Sequence, residues 1–319
     1  MTTRFTSFSI LPVILAGAVT VAAPAADPAA APAVAAPPAV AKAPPLPLHT
    51  IEGVGGLIIT PLAYLVNPGP PGTQIGLPSV SATYVNANRK NVQTLAVTET
   101  LFGRLELGYA ASRFGLGTLP DEVQSATGAD IGRSDVYLHN FNARVLLLPE
   151  NSFDLPLPAV TAGVHLKVND GIGKINDRLG GAIEGIGYSK STGVDYTLTA
   201  SKTFPRVFTR PLILSAGLRL SEGSQLGYVG FGDTYHLTFE GNATYLLTDH
   251  IALAGEYRQK AAEYGTIGDL VREEQDWWTI GVGYIVNEHV TLAAGYGHFG
   301  NVLNTVENTG LAVQLKYEF

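Results

Sequence analysis

Residues 256–260 read Glu-Tyr-Arg-Gln-Lys. In an extended strand alternate side chains share a face, so Glu256, Arg258 and Lys260 point one way and Tyr257 and Gln259 the other. Upstream, Glu240 and Asn242 share one parity within the alternating run 235–247. If Leu247 pairs with Ile251 around a three-residue turn, Glu240 lies opposite Arg258 and Asn242 opposite Glu256. Opposite charges facing each other across strands contribute roughly 0.2–1 kcal/mol, and more where little water reaches them. A Glu240–Arg258 ion pair is therefore expected. Arg104, Arg144, Lys167, Arg219 and Lys316 fall on the polar face of their own alternating runs, as do the acids Glu106, Asp195 and Glu318. Such a mixed-charge lining could select a polar solute in the lumen of a barrel. It could equally be a self-satisfied polar core that fills a narrow one.

Other chemistry has weaker support. The chain has 7 His and no Cys, which excludes disulfides and thiolate metal sites, and no two His stand at the helical spacing of metal ligands. No cofactor is expected. A hydrolase on a barrel needs Ser, His and an acid on neighbouring strands. His236 with Glu240 and a nearby Ser is the one candidate, and an enzyme is not expected. Gly227 to Gly232 is glycine-rich but falls in a loop, without the strand–helix turn of a phosphate site. Trp277 could lie against Arg258 in a cation–π contact, with Trp278 at a membrane interface. The loop acids Asp121, Glu122, Asp130, Asp233, Asp269, Glu273 and Glu274 could meet divalent ions beside lipopolysaccharide, or simply be solvated.

The elements that must position these residues are strands. Of 319 residues 46% are hydrophobic and only 15% charged, with 36 Gly and 14 Tyr. From about residue 77, segments of about ten residues alternate apolar with polar or glycine, the length and period of transmembrane β-strands. The last is the cleanest: Leu311, Val313, Leu315, Tyr317 and Phe319 oppose Ala312, Gln314, Lys316 and Glu318. Short turns (101–103, 248–250, 287–289) alternate with long polar connections (116–132, 169–192, 222–233, 261–274, 300–308), except for a brief turn at 89–91. Counted back from the end, the runs give an all-β, transmembrane, antiparallel up-and-down β-barrel of about 12 strands over 77–319. Trp278, Tyr284, Tyr317 and Phe319 are expected as interface anchors, and the closing strand as the signal read by the barrel assembly machinery.

Three segments precede the barrel. Residues 1–23 have the Arg4 n-region, apolar h-region and small-residue end of a Sec signal peptide. Residues 24–50 are an Ala/Pro-rich periplasmic linker, too polyproline-like to form a core. Residues 51–76 are expected to fold into the lumen or periplasmic mouth as a plug through Leu57, Ile58, Ile59 and Leu62. The alternative is one more barrel strand. Together these place the chain in the Gram-negative outer membrane, in contact with lipid and lipopolysaccharide. The formal net charge of −7 argues against a nucleic-acid partner.

Residues 52–56 (Glu-Gly-Val-Gly-Gly) followed by 60–63 (Thr-Pro-Leu-Ala) resemble the start of a family of uncharacterised Gram-negative outer-membrane barrels designated a domain of unknown function. Residues 104–109 (Arg-Leu-Glu-Leu-Gly-Tyr), 227–232 (Gly-Tyr-Val-Gly-Phe-Gly), 256–260 and 274–278 (Glu-Gln-Asp-Trp-Trp) continue the resemblance in order. It implies a membrane barrel and carries no established activity. The long Ala/Pro linker departs from the pattern. Three functions fit the residues: a passive channel or transporter for small hydrophilic solutes, a gated carrier of a hydrophobic compound with 51–76 as its plug, or a structural barrel with a filled lumen.

Overall fold

In a computed structural model, residues 47–319 are described. The expected signal peptide and nearly all of the linker lie outside the described residues. Twelve strands form the wall: β1 (Ser79–Ala87), β2 (Lys90–Leu101), β3 (Leu105–Gly115), β4 (Asp135–Leu148), β5 (Ala159–Asp170), β6 (Thr192–Val207), β7 (Arg210–Gly223), β8 (Phe231–Leu246), β9 (Ile251–Arg258), β10 (Trp277–Ile285), β11 (Val290–His298) and β12 (Gly310–Glu318). Each pairs antiparallel with the next, and β12 returns to β1, from Gly310 opposite Ala87 to Glu318 opposite Ser79. The sheet is thus a closed up-and-down barrel with no free edge.

The period of the sequence decides which side is which. Along β12 the residues alternate buried and exposed without a slip. The exposed set is apolar: Leu311 is 63% exposed, and on other strands Leu95 is 66% and Ile280 58%. The inward set is polar. This is the reverse of a soluble protein and the arrangement of a barrel surrounded by lipid. Tight turns close one end. Between β2 and β3 three residues turn the chain from Leu101 to its partner Leu105, and Phe102 and Gly103 both take left-handed backbone (φ 54° and 61°). Arg104, expected on the inward face, belongs to this turn and is exposed.

The other end carries the long connections, and they are more ordered than their polar composition predicts. Residues 116–134 contain helix α1 (Leu119–Thr127), which opens with Pro120, Asp121 and Glu122 and stops at left-handed Gly128. Residues 171–191 contain α2 (Ile172–Arg178). Residues 300–302 and 305–307 pair as a small ribbon. Leu119, Val123, Ile172, Tyr188, Tyr228 and Phe299 turn inward from these loops into one apolar cluster that also takes in Ile51, Ile58 and Ile59. Helices of two turns leave too short a periodic trace to be read in sequence.

The stretch from Pro47 to Val66 adds no strand to the barrel. It is buried along nearly its whole length. Leu48 and His49, which the sequence places at the end of the linker, pair with Gly56 and Gly55. The chain then doubles back twice, with Thr50 N–H donating to Val54 O (2.8 Å) and Leu57 N–H to Thr60 O (2.9 Å). Glycine makes this possible. A Cβ on Gly56 would stand 2.3 Å from Thr60 O, and Gly53 takes φ 80° against Ala110 of the wall. Residues 67–76 are largely exposed and lead to β1 at the tight-turn end.

Candidate functional site: an ion network between wall and interior segment

Alternation along β5, β6, β7, β8 and β9 turns Lys167, Asp195, Arg219, Glu240 and Arg258 inward, where they are almost fully buried. The register sets their neighbours. β8 and β9 pair Glu240 with Arg258 and Asn242 with Glu256, and the Arg258 guanidinium stands 3.0 Å from the Glu240 carboxylate. Glu240 also meets Arg219 Nε at 3.3 Å. Asp195 accepts from Lys167 (2.6 Å), Arg219 (2.8 Å) and the Ser221 hydroxyl (2.6 Å).

A sixth charge comes from outside the wall. Glu52 is the sole charged residue between positions 47 and 66. Its carboxylate receives two parallel bonds from Arg219, Nη1 to Oε1 at 3.0 Å and Nη2 to Oε2 at 2.9 Å. Arg258 Nη1 adds a third at 2.8 Å and Lys167 Nζ a fourth at 2.7 Å. Three cations and two acids of the wall thus meet one acid of the interior segment, and the cluster balances. Buried charges persist only when paired in this way.

Glu256 reverses the roles. Its carboxylate belongs to the wall and grips the segment, accepting the N–H groups of Ile58 (3.1 Å), Ile59 (2.8 Å) and Thr60 (2.7 Å). The Thr60 and Thr279 hydroxyls, each at 2.7 Å, complete its shell. Three successive amides converging on one carboxylate form an anion-binding nest. Lower in the barrel Arg144 and Glu106 pair through two bonds, at 3.0 and 2.8 Å. Glu106 also accepts from Gly55 N–H (3.1 Å) and Val66 N–H (2.8 Å), while Arg144 donates to Leu62 O (2.7 Å). Lys316 bonds Pro47 O and, at 2.5 Å, Glu318. Gln314 bonds His49 O at 2.7 Å.

The other candidates are placed as follows. Lys260 lies just past β9, paired with Glu274 at 2.9 Å and stacked over Trp277 at 4.7 Å. The cation on Trp277 is therefore Lys260, not Arg258, because β9 ends at Arg258 and the next residues fold back over the ring. Trp278, Tyr284, Tyr317 and Phe319 face outward. Leu57 and Ile58 border an apolar cavity of about 40 Å³ against Ala254, Gly281 and Ala312. Ile59 and Leu62 are buried elsewhere in the segment's packing. His236 stands opposite Ser221 on β7 but contacts Glu263 at 3.3 Å, while Ser221 donates to Asp195. His236, Glu240 and a serine are thus not brought together. Glu263 sits in the 259–276 loop, where burial and the nearby Glu274, Glu222 and Asp233 push its carboxyl up to about 7. The residue that sequence alone did not single out for chemistry is Glu52. Its signal is its isolation as one acid in an uncharged stretch.

No curated protein matches the sequence. Several solved barrels are similar in fold. The KdgM porin is 10% identical, covering 76% of this chain and 99% of its own, with a TM-score of 0.45. The NanC porin is 11% identical, with 76% and 98% covered and a TM-score of 0.42. The outer membrane phospholipase (OMPLA) dimer of Salmonella typhi with bound calcium is 10% identical, with 79% and 96% covered and a TM-score of 0.37. The family described as Protein of unknown function (DUF3034) matches residues 47–316, interior segment and wall together, and the chain is a closed twelve-stranded transmembrane β-barrel that belongs to that family.

Proposed function

We propose that this outer-membrane barrel is a channel for small polar solutes, closed by its own interior segment. The observation that carries the reading is how the lumen is filled. Apart from the long-loop residues that pack onto it, the filling is one continuous stretch, Pro47 to Val66, outside the barrel sheet and fixed to the wall largely through side chains. The wall behind it is polar and charged, as a solute path needs and a purely structural core does not. Leu57, Ile58, Ile59 and Leu62 fill the plug. The wall charges Glu240, Arg258, Glu256, Arg219, Arg144 and Lys316 form the lining that its release uncovers, with Lys260 at the long-loop mouth. The apolar outer face meets lipid, with lipopolysaccharide at the long-loop end, and the closing strand is what the assembly machinery engages.

Planar-bilayer recording of the purified full chain tests this. Wild type is expected to rest closed with rare discrete openings. Glu52→Ala, which loosens the segment, opens far more often. Baseline current in both would remove the channel reading and favour a structural barrel. The balanced ion network and the apolar cluster of the long loops favour that second reading. A carrier of a hydrophobic compound has less support, since about 40 Å³ beside Leu57 and Ile58 holds no such molecule.

A further inference from the structure

The contacts of Glu52 have the form of ligand recognition. We infer that Lys167, Arg219 and Arg258 form a carboxylate-binding site of the wall, which Glu52 occupies as a built-in ligand and for which an acidic solute competes. This deepens the channel reading and rests on it for the route by which a solute arrives.

Three observations converge. First, the site is built entirely from the wall, on β5, β7 and β9, so it does not depend on the segment for its position. Second, its geometry is that of a carboxylate receptor. Arg219 presents its guanidinium edge-on for two parallel bonds while Arg258 and Lys167 close the sides. Third, the charge is unmatched without a guest. Asp195 and Glu240 offset two of the three cations, and the third is neutralised only by Glu52. Arg258 also keeps a buried Nε with no hydrogen-bond partner, so its donors are not exhausted by the wall.

The consequence is a coupling between solute and gate. A carboxylate entering the site displaces Glu52 and removes the segment's one ionic anchor. A neutral or cationic solute cannot, because it leaves three buried cations facing two acids. An acidic solute is then both permeant and opener.

The test refills the site in the full chain. Glu52→Ala deletes the atoms of an acetate ion, so added sodium acetate is the matching probe and acetamide its neutral twin, at equal ionic strength. Acetate is expected to raise the unfolding temperature of Glu52→Ala by roughly 2–4 °C over acetamide and to leave Glu52→Ala/Arg219→Gln unmoved. Equal shifts from the two probes would overturn the inference. If Glu52→Ala does not fold, wild type decides by hydrogen exchange. Acetate but not acetamide then speeds exchange of the amides of residues 50–56, and equal rates overturn the inference. Conductance separates this from the channel reading. Rescue without current leaves the carboxylate site standing and removes the channel, and current without rescue does the reverse.

Discussion

Glu52 and Arg219, separated by 167 positions in sequence, meet inside the barrel through two parallel N–H···O bonds of 3.0 and 2.9 Å. Arg219 belongs to the wall and Glu52 to the segment that fills it. This contact is the clearest point at which wall and filling recognise each other by charge. Glu52→Gln keeps the shape and removes the charge, leaving Lys167, Arg219 and Arg258 with two acids among them. Breaking a buried pair from one side costs about 3–5 kcal/mol. A urea titration of the folded protein in detergent is expected to show a loss of that size.

Glu240 and Arg258 are coupled to each other and to that cluster. Glu240→Gln leaves Arg258 and Arg219 short of an acceptor, and Arg258→Met leaves Glu240 and Glu52 short of a donor. The double variant removes both members of the pair. It is expected to be less destabilised than the sum of the singles by about 0.5–3 kcal/mol. Strict additivity in the same titration would mean that the pair contributes nothing.

Glu256 holds the turn 58–60 through three amides. Glu256→Gln replaces one acceptor oxygen with a donor and weakens the rest by removing their charge, a loss of about 1–3 kcal/mol. The loss is local. Hydrogen exchange at Ile58, Ile59 and Thr60 should accelerate while the amides of β12 keep their protection. Unchanged exchange at the turn would show that apolar packing alone holds it.

Glu263 gives a pH dependence. Its carboxyl is pushed up to about 7 from an ordinary value of 4.5, by burial first and by Glu274, Glu222 and Asp233 second. The folded state therefore holds this proton more tightly than the unfolded chain. The contribution is fully present below the ordinary value and is lost as pH rises through about 7. Stability measured by thermal unfolding is expected to fall over that interval. Glu263→Gln, which is neutral throughout, should flatten that part of the profile, and an identical profile in the variant would exclude Glu263 as the source.

How much of this was legible in the sequence follows from what carries the information. The wall is local: alternation in 311–319 fixes which face of β12 meets lipid, and the short turn at 248–250 fixes the partner of Glu240. Counting strands back from the end left residues 51–76 over as a lumen or periplasmic-mouth segment, whereas the buried stretch outside the barrel sheet runs from 47 to 66. Within the network the Glu240–Arg258 pair was legible from its hairpin, but the contacts of Glu52 were not, because none of them is local. Nothing periodic relates Glu52 to Lys167, Arg219 or Arg258, and Arg104 shares the parity of Glu106 yet falls in the turn beyond the strand. The same holds for Lys260. Its parity is that of Arg258, but the strand stops first and the side chain lies over Trp277.

The most direct test of the closed-channel account locks the segment in place. The chain has no native cysteine. Ala63, whose N–H donates to Ser201 Oγ at 2.8 Å, and Ser201 can therefore be changed to cysteine as a unique pair joining segment to wall. In planar bilayers the oxidised Ala63→Cys/Ser201→Cys protein is predicted to stay silent, and reduction is predicted to restore the openings of wild type. Openings that persist with the disulfide formed, or silence in every form including Glu52→Ala, would contradict it.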